Sequence, residues 1–230
     1  EMVNRWIDKG IDGFRIDAVS NLIYHLGNQN NGENHDAISF IKQISNHLSS
    51  IDERIIFSAE DSTNYNKVTH KPEHGGIGFD YKWNMGFMND VLSYFKLDPI
   101  YRKHNHHKIT FGLVYAFNER FILPFSHDEV VHLKGTLLTR MPGTYEHKFK
   151  NWRLLMTLFM THPGKKLLFM GSEFAQVSEW DFKKELDWNL LSYPIHDSSK
   201  RYFRDLAQVY RHHDSLYKYD HDPKGFKWLI

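Results

Sequence analysis

The sequence predicts an α/β fold in which parallel strands alternate with helices. Short apolar runs are separated by longer segments that have the period of an amphipathic helix. The runs are continuously apolar rather than alternating, which is typical of strands buried on both faces of a parallel sheet. Ionisable residues follow several of the runs at the same end. Together these observations predict a series of βα units with one functional edge.

The elements follow one another regularly along the chain. The first residues have the apolar pattern of the end of a helix. The five predicted strands are GFRID (13–17), IIFSAED (55–61), GFDYKW (78–83), FILPFSHD (121–128) and KLLFMGSE (166–173). The predicted helices lie near 35–49, 88–96, 151–160 and 199–213. We therefore predict five consecutive strand–helix units.

Composition narrows the class of protein. A net charge of +1 argues against a nucleic-acid-binding or polybasic membrane-binding surface. The absence of cysteine excludes disulfides and thiolate metal sites and is compatible with a reducing compartment. No run reaches the roughly 18 apolar residues that span a bilayer. We expect neither a nucleic acid nor a membrane as partner, and a cytoplasmic location is compatible with this composition.

Ionisable side chains end four of the predicted strands. They are Arg15 and Asp17, Glu60 and Asp61, His127 and Asp128, and Glu173. One strand that runs into a polar loop needs no special explanation, but a recurrence on several strands favours a shared site. In a (β/α)8 barrel the carboxyl ends of all strands meet at one mouth, where the active site lies. The sequence therefore predicts a barrel of this kind with its site at the mouth.

Three of these acids, Asp17, Glu60 and Asp128, define the candidate chemistry. Two carboxyl groups cleave a glycosidic bond, and a further anion stabilises the positively charged transition state. Arg15 points to the same side of its strand as Asp17 and would keep that carboxyl ionised. Glu60 would need a raised pKa to hold a proton. The alternative interpretation is that the three carboxylates at the barrel mouth bind a hard metal ion such as Mg²⁺.

Three motifs carry a resemblance to a known family. GFRIDAV, AEDST and FSHDEVVH resemble signature regions of the α-amylase family of glycoside hydrolases and transglycosylases. More narrowly, the chain is similar to bacterial 1,4-α-glucan branching enzymes, because an acidic residue follows AE and Glu129 extends the SHD motif. Connecting segments such as RMPGTYEHKFKNWRLL match as well, so the resemblance covers nearly the whole chain.

The resemblance implies a role for each candidate residue. Asp17 matches the nucleophile, Glu60 the general acid/base and Asp128 the transition-state stabiliser, while Arg15 and His127 match substrate-binding residues. The implied reaction cleaves an α-1,4-glucan such as glycogen or amylose with retention and transfers the chain to a glucose 6-hydroxyl, which forms an α-1,6 branch. The implied enzyme is a hexosyltransferase of glycogen synthesis that uses no cofactor or metal. An amylase-type hydrolase and a non-catalytic glucan-binding relative are the alternatives.

The chain also departs from the family pattern. The family usually carries glycine after VVH, where this sequence has Leu133, Lys134 and Gly135. Its first signature region, on an earlier strand, is not in this chain. We therefore expect an incomplete (β/α)8 TIM barrel over 1–215, roughly strands 4 to 8, and the start of a C-terminal β-domain over 216–230. The partner would be the missing N-terminal part of the same chain, and residues 1–230 alone are predicted to be inactive.

Overall fold

Five parallel strands form one sheet whose strand order follows the chain. The computed structural model describes residues 1–229. The strands are β1 (Gly13–Ile16), β2 (Ile56–Ala59), β3 (Tyr81–Trp83), β4 (Phe121–Phe125) and β5 (Lys165–Leu168). Each overlaps one of the five predicted runs, so the existence and order of the predicted strands are confirmed. Because a closed (β/α)8 barrel has eight strands, the fold is an incomplete barrel, as predicted.

Helices lie between these strands and after the last one. Within residues 1–229 they are α1 (Met2–Ile7), α2 (Ser20–Ile23), α3 (His35–Ile51), α4 (Met85–Lys96), α5 (Pro99–Arg102), α6 (His107–Thr110), α7 (Gly112–Tyr115), α8 (Tyr145–Thr161), α9 (Pro194–His212) and α10 (Asp214–Tyr217). The four predicted helices correspond to α3, α4, α8 and α9. No helix in this described part of the chain is long and apolar enough to cross a membrane.

The chain divides into two compact units. Residues 1–85 and 118–122 form the first unit, and residues 86–117 together with the chain from 123 onward form the second. The first unit contains β1, β2, β3 and the beginning of β4, which pair in parallel. The second unit contains the end of β4 and all of β5, where the Phe169 N–H donates to the Phe125 carbonyl oxygen at 2.8 Å.

The core of the first unit lies between its strands and α3. Asn34 caps α3, because its side chain accepts a hydrogen bond from the Ala37 N–H. The buried residues of α3 are Ile38, Ile41, Ser45 and Leu48, whose spacing places them on one helix face. Phe57 of β2 stacks on Phe79, with ring centroids 4.3 Å apart. Burial of this apolar face fixes α3 against the strands that carry the candidate site.

The core of the second unit is aromatic. Phe125 of β4 packs against Phe87 of α4 and Phe159 of α8, with ring centroids 6.0 and 4.9 Å away. Trp152 and Met156, also on α8, are completely buried. Thr144 begins α8 by accepting a hydrogen bond from the His147 N–H, which explains why this helix starts earlier than its apolar period predicts. The packing of α8 positions the end of β4.

Candidate active site

The pairing of β1 with β2 places two carboxylates side by side. The strands are parallel and Ile16 lies opposite Ala59, so Asp17 and Glu60 each follow the last residue of their strand. The Glu60 N–H donates to the Ile16 carbonyl oxygen at 2.9 Å, which continues the ladder into the site. Gly13 permits this approach, because a Cβ there would overlap the Ile56 carbonyl oxygen.

Arg15 joins the two carboxylates. Its Nη2 atom lies 2.7 Å from Asp17 Oδ1 and 2.5 Å from Glu60 Oε2. Since both carboxylates accept from one nitrogen, their bound oxygen atoms lie near each other, which favours the short separation of about 5–5.5 Å over that of about 6.5–9.5 Å. The guanidinium lies over the Trp83 ring, 4.3 Å from its centroid. This cation–π contact holds Arg15 in place between the acids.

The two acids have different surroundings. The Asp17 side chain is 74% exposed, whereas that of Glu60 is 18% exposed. Burial raises the pKa of the Glu60 carboxyl, and a hydrogen bond with Asp17 raises it further, against the opposing effects of the Ala18 N–H and Arg15. The pKa therefore moves in the direction expected from the sequence, with desolvation as the largest cause.

Strained backbone follows Asp17. Ala18 has a φ of 44°, in the left-handed region that residues with a Cβ rarely adopt. In this conformation the Ala18 N–H donates to Glu60 Oε2 at 3.3 Å. The Val19 N–H then donates to the Glu60 carbonyl oxygen at 2.9 Å. The turn after β1 is thus tied to Glu60 through both side chain and backbone.

His127 and Asp128 lie in the second unit, in a single 3₁₀ turn (His127–Glu129) that directly follows β4. Ser126 begins the turn, because its hydroxyl accepts from the Asp128 N–H at 3.3 Å. His127 Nε2 lies 3.4 Å from Asp128 Oδ1, and both side chains are partly exposed. The turn therefore presents an imidazole and a carboxylate together at the carboxyl end of a strand.

The loop after this turn is held by several polar contacts. Lys134 Nζ donates to the Asp128 carbonyl oxygen at 2.6 Å. Glu179 accepts from the Leu133 and Gly135 N–H groups at 3.0 and 2.6 Å. Leu133, where the resemblance leads us to expect glycine, has a φ of 63° and is 98% exposed. The departure therefore places a side chain on left-handed backbone at the tip of the loop.

The structure brings the predicted residues together in two groups. Arg15, Asp17 and Glu60 contact one another in the first unit, and His127 and Asp128 contact each other in the second. Within residues 1–229 no group of three or more His, Asp and Glu side chains is arranged to hold a metal ion. The chemistry of this donor set is that of two adjacent carboxyl groups, of which Glu60 has a raised pKa.

Sequence reasoning missed three residues that shape these groups. Trp83 supports Arg15, Lys82 pairs with the buried Asp61, and Glu179 fixes the loop after Asp128. A signal for Lys82 was available, because a lysine within the apolar strand GFDYKW needs a buried partner. The sequence alone carried no signal for Glu179, whose hydrogen-bond partners are backbone groups more than forty residues away.

Comparison with known proteins defines the family. The family model for the alpha amylase catalytic domain matches residues 1–229. The chain therefore belongs to the α-amylase catalytic-domain family. It is 49% identical over 219 residues to a protein of Bacillus caldolyticus named 1,4-alpha-glucan branching enzyme GlgB, with 95% of this chain and 33% of that protein covered.

Another relative gives the same match. The protein of that name from Bacillus cereus strain B4264 is 50% identical over 219 residues, which cover 95% of this chain and 34% of the relative. The chain thus spans about a third of the length of the curated relatives it matches. The predicted resemblance to bacterial branching enzymes is confirmed.

Solved structures agree on the fold. An alpha-amylase from H. orenii matches with a TM-score of 0.61 at 15% identity, over 94% of this chain and 46% of that one. The type III pullulan hydrolase of Thermococcus kodakarensis matches with a TM-score of 0.63 at 18% identity, over 93% of this chain and 35% of that one. At these identities the likeness concerns the fold alone.

Proposed function

We propose that the chain is part of a 1,4-α-glucan branching enzyme, a hexosyltransferase of glycogen synthesis. The observation that carries the proposal is the pair of in-register acids Asp17 and Glu60, joined by Arg15. Identity of about 50% to proteins named 1,4-alpha-glucan branching enzyme supports the reaction type. The substrate is an α-1,4-glucan, and no cofactor takes part.

Asp17 acts as the nucleophile in the first step. Its exposed carboxylate attacks the anomeric carbon of an α-1,4 linkage and forms a glycosyl ester, while the bond to the leaving oxygen breaks. The contact of both carboxylates with the same Arg15 nitrogen supports this retaining route, because an inverting enzyme needs space for a water molecule between its two acids. Arg15 contacts the attacking carboxylate at 2.7 Å and holds it in position.

Glu60 acts as the general acid and then as the general base. Its raised pKa keeps a proton available for the leaving glucan oxygen. In the second step the ionised Glu60 takes the proton from a glucose 6-hydroxyl, whose oxygen attacks the glycosyl ester. Asp17 leaves as a carboxylate, and the product carries an α-1,6 branch.

Asp128 stabilises the positive charge that develops on the sugar and accepts hydrogen bonds from its hydroxyls. Its partly exposed carboxylate at the end of β4 supports this role. His127, which lies beside Asp128, donates to the substrate from the same turn. Together with Arg15, it belongs to the substrate-binding residues.

The test is incubation of the full-length protein with amylose. Branching lowers iodine staining with little new reducing sugar, and a debranching enzyme then releases short linear chains. Release of reducing sugar in step with the loss of staining would instead establish an amylase-type hydrolase. Binding of amylose with neither change would establish a non-catalytic glucan-binding relative, so each alternative has its own result.

The surroundings of the site are part of the proposal. We propose that residues 1–215 form the C-terminal portion of the catalytic barrel and that residues 216–230 begin a C-terminal β-domain; Ile230 lies outside the described residues. The remaining strands come from an N-terminal part of the same chain, in keeping with the greater length of the relatives. The protein acts in the cytoplasm, where glycogen is made.

A further inference from the structure

Asp61, the residue after Glu60, takes part in a buried ion pair. Its side chain has no exposed surface, and Asp61 Oδ2 lies 2.8 Å from Nζ of Lys82, whose side chain is 8% exposed. Register explains the contact, because Ala59 of β2 lies opposite Lys82 of β3. An ion pair this deeply buried needs further hydrogen bonds to offset desolvation.

Those hydrogen bonds come from the loop that leaves the site. The Thr63 N–H donates to Asp61 Oδ1 and the Thr63 hydroxyl to Asp61 Oδ2, both at 3.0 Å. Lys82 Nζ also donates to the Thr63 carbonyl oxygen at 2.9 Å. The first residues after β2 are therefore closed into a turn and fastened to β3 through one ammonium group.

Glu60 lies between two fixed attachments. On the β1 side its N–H and carbonyl oxygen bond to Ile16 and Val19, both at 2.9 Å. On the β3 side the next residue is held by Lys82. These attachments fix the backbone at Glu60 from both sides, so they set the position from which the Glu60 side chain extends to Arg15 and the Ala18 N–H.

We infer that Asp61 and Lys82 are positioning residues that aim the Glu60 carboxyl at the glycosidic oxygen. This inference rests on the proposed function of Glu60 as proton donor. Neither residue takes part in bond making, since both are buried beneath the turn. Displacement of a catalytic group by about 1 Å costs on the order of 100-fold in rate, so loss of the ion pair selectively impairs proton transfer to the leaving group.

The distinguishing readout compares two donor substrates in the full-length protein. Transfer from amylose needs protonation of the leaving oxygen. The initial burst of fluoride from α-maltosyl fluoride, which reports formation of the glycosyl ester, does not need it, because fluoride is a good leaving group. Glu60→Gln is the reference variant, because it is expected to lose transfer from amylose while it keeps the fluoride burst. The amplitude of the fluoride burst gives the fraction of active sites, so rates are compared per correctly folded molecule.

Asp61→Asn is expected to lower kcat for amylose by about 10- to 100-fold with little change in KM, while the rate constant of the fluoride burst, which reports the first step alone, stays within about threefold of the parent. The double variant Asp61→Asn/Lys82→Met also removes the unpaired buried ammonium group. If Asp61→Asn does not fold, this double variant is still expected to fold. It is expected to show the same selective loss of transfer from amylose.

Asp220→Asn is the matched control. Asp220 is a similarly buried carboxylate that pairs with Lys165 at 3.0 Å, and Lys165 likewise donates to a carbonyl oxygen, that of Tyr217. Its variant is expected to lose stability but to keep the parent ratio of the two rates. If the double variant of Asp61 and Lys82 is active and its ratio of the two rates equals that of the parent, the inference is overturned while the proposed function stands. Absence of both reactions in the parent would overturn the proposed function and the inference with it.

Discussion

Arg15 donates to Glu60 across the β1–β2 pair at 2.5 Å, while the same nitrogen also holds Asp17. One cation therefore acts on two acids that the proposed mechanism needs in opposite protonation states. Burial raises the pKa of Glu60 and Arg15 opposes that rise. The balance between desolvation and this ion pair sets the pH range in which the pair of acids works.

Replacement of Arg15 by methionine is expected to shift the pH dependence of activity. Because Arg15 lowers the pKa of Glu60, its loss raises that pKa further, and the alkaline limb of kcat/KM moves to higher pH. Activity at the optimum falls, since Asp17 and Glu60 lose the cation that contacts both carboxylates. The measurement is a pH profile of branching in the full-length protein; an alkaline limb that stays in place or moves to lower pH would contradict this assignment.

Asp17→Asn is expected to abolish transfer, with a loss on the order of 10⁴-fold or more. The amide is nearly isosteric but cannot form the glycosyl ester. The measurement is branching of amylose together with mass spectrometry of the trapped glycosyl-enzyme. Asp12→Asn, an exposed carboxylate just before β1, is the control and should behave as the parent. Near-normal branching by Asp17→Asn would remove it from the mechanism.

Leu133→Gly is expected to stabilise the protein by about 1 kcal/mol, because a left-handed residue with a Cβ costs roughly 1–2 kcal/mol and glycine does not. Leu133 has a φ of 63° and its exposed side chain makes no large contribution to packing. Leu229→Gly is the control, since Leu229 is also exposed but has no positive φ. Thermal unfolding at neutral pH measures both; equal shifts for the two variants would refute the strain argument.

His162 is expected to make the second unit sensitive to acid. Burial lowers the pKa of its imidazole to about 4, and the ring packs against Phe87 with centroids 4.6 Å apart. The folded state disfavours the charged form, so stability is present above the unfolded pKa of about 6.5 and is lost as the pH falls towards 4, by about 3 kcal/mol.

The test of that prediction uses His162→Gln, which cannot titrate. The variant is expected to lose less stability than the parent between pH about 7 and about 4.5, measured by thermal unfolding of the full-length protein. His106→Gln, which alters an exposed histidine of the same unit, serves as the control. An unchanged acid sensitivity in His162→Gln would show that another group is responsible.

Residues 1–230 expressed alone are expected to be inactive and marginally stable. The sheet has five strands, whereas a closed barrel has eight, so unpaired edges remain that favour association. Strands absent from the barrel also leave its interior layers incomplete, and total stability is only about 5–15 kcal/mol. Solubility, cooperative unfolding and branching of amylose provide the measurements. A monomeric, cooperatively folded chain with the activity of the full-length protein would disprove this expectation.

Much of the fold was predictable from sequence. The five strands and the helices α3, α4, α8 and α9 were predictable, because each strand lies in a short apolar run and each helix in a segment of helical period. The start of α8 was missed, since a Thr144 cap rather than apolar period begins that helix. The motifs GFRID and AED predicted where the carboxylates of the first unit lie, because the carboxyl ends of parallel strands lie at the same edge of the sheet.

By itself, the sequence determined which chemical groups the strands present and at which end they lie. Only the tertiary structure decided how those groups interact. Arg15 was expected beside Asp17, yet the β1–β2 register also brings it to Glu60, and β3 supplies Trp83 beneath it. Register and burial depend on contacts between segments far apart in the chain. Local periodicity contains no information about such contacts, and they set both the Glu60 pKa and the partner of Asp61.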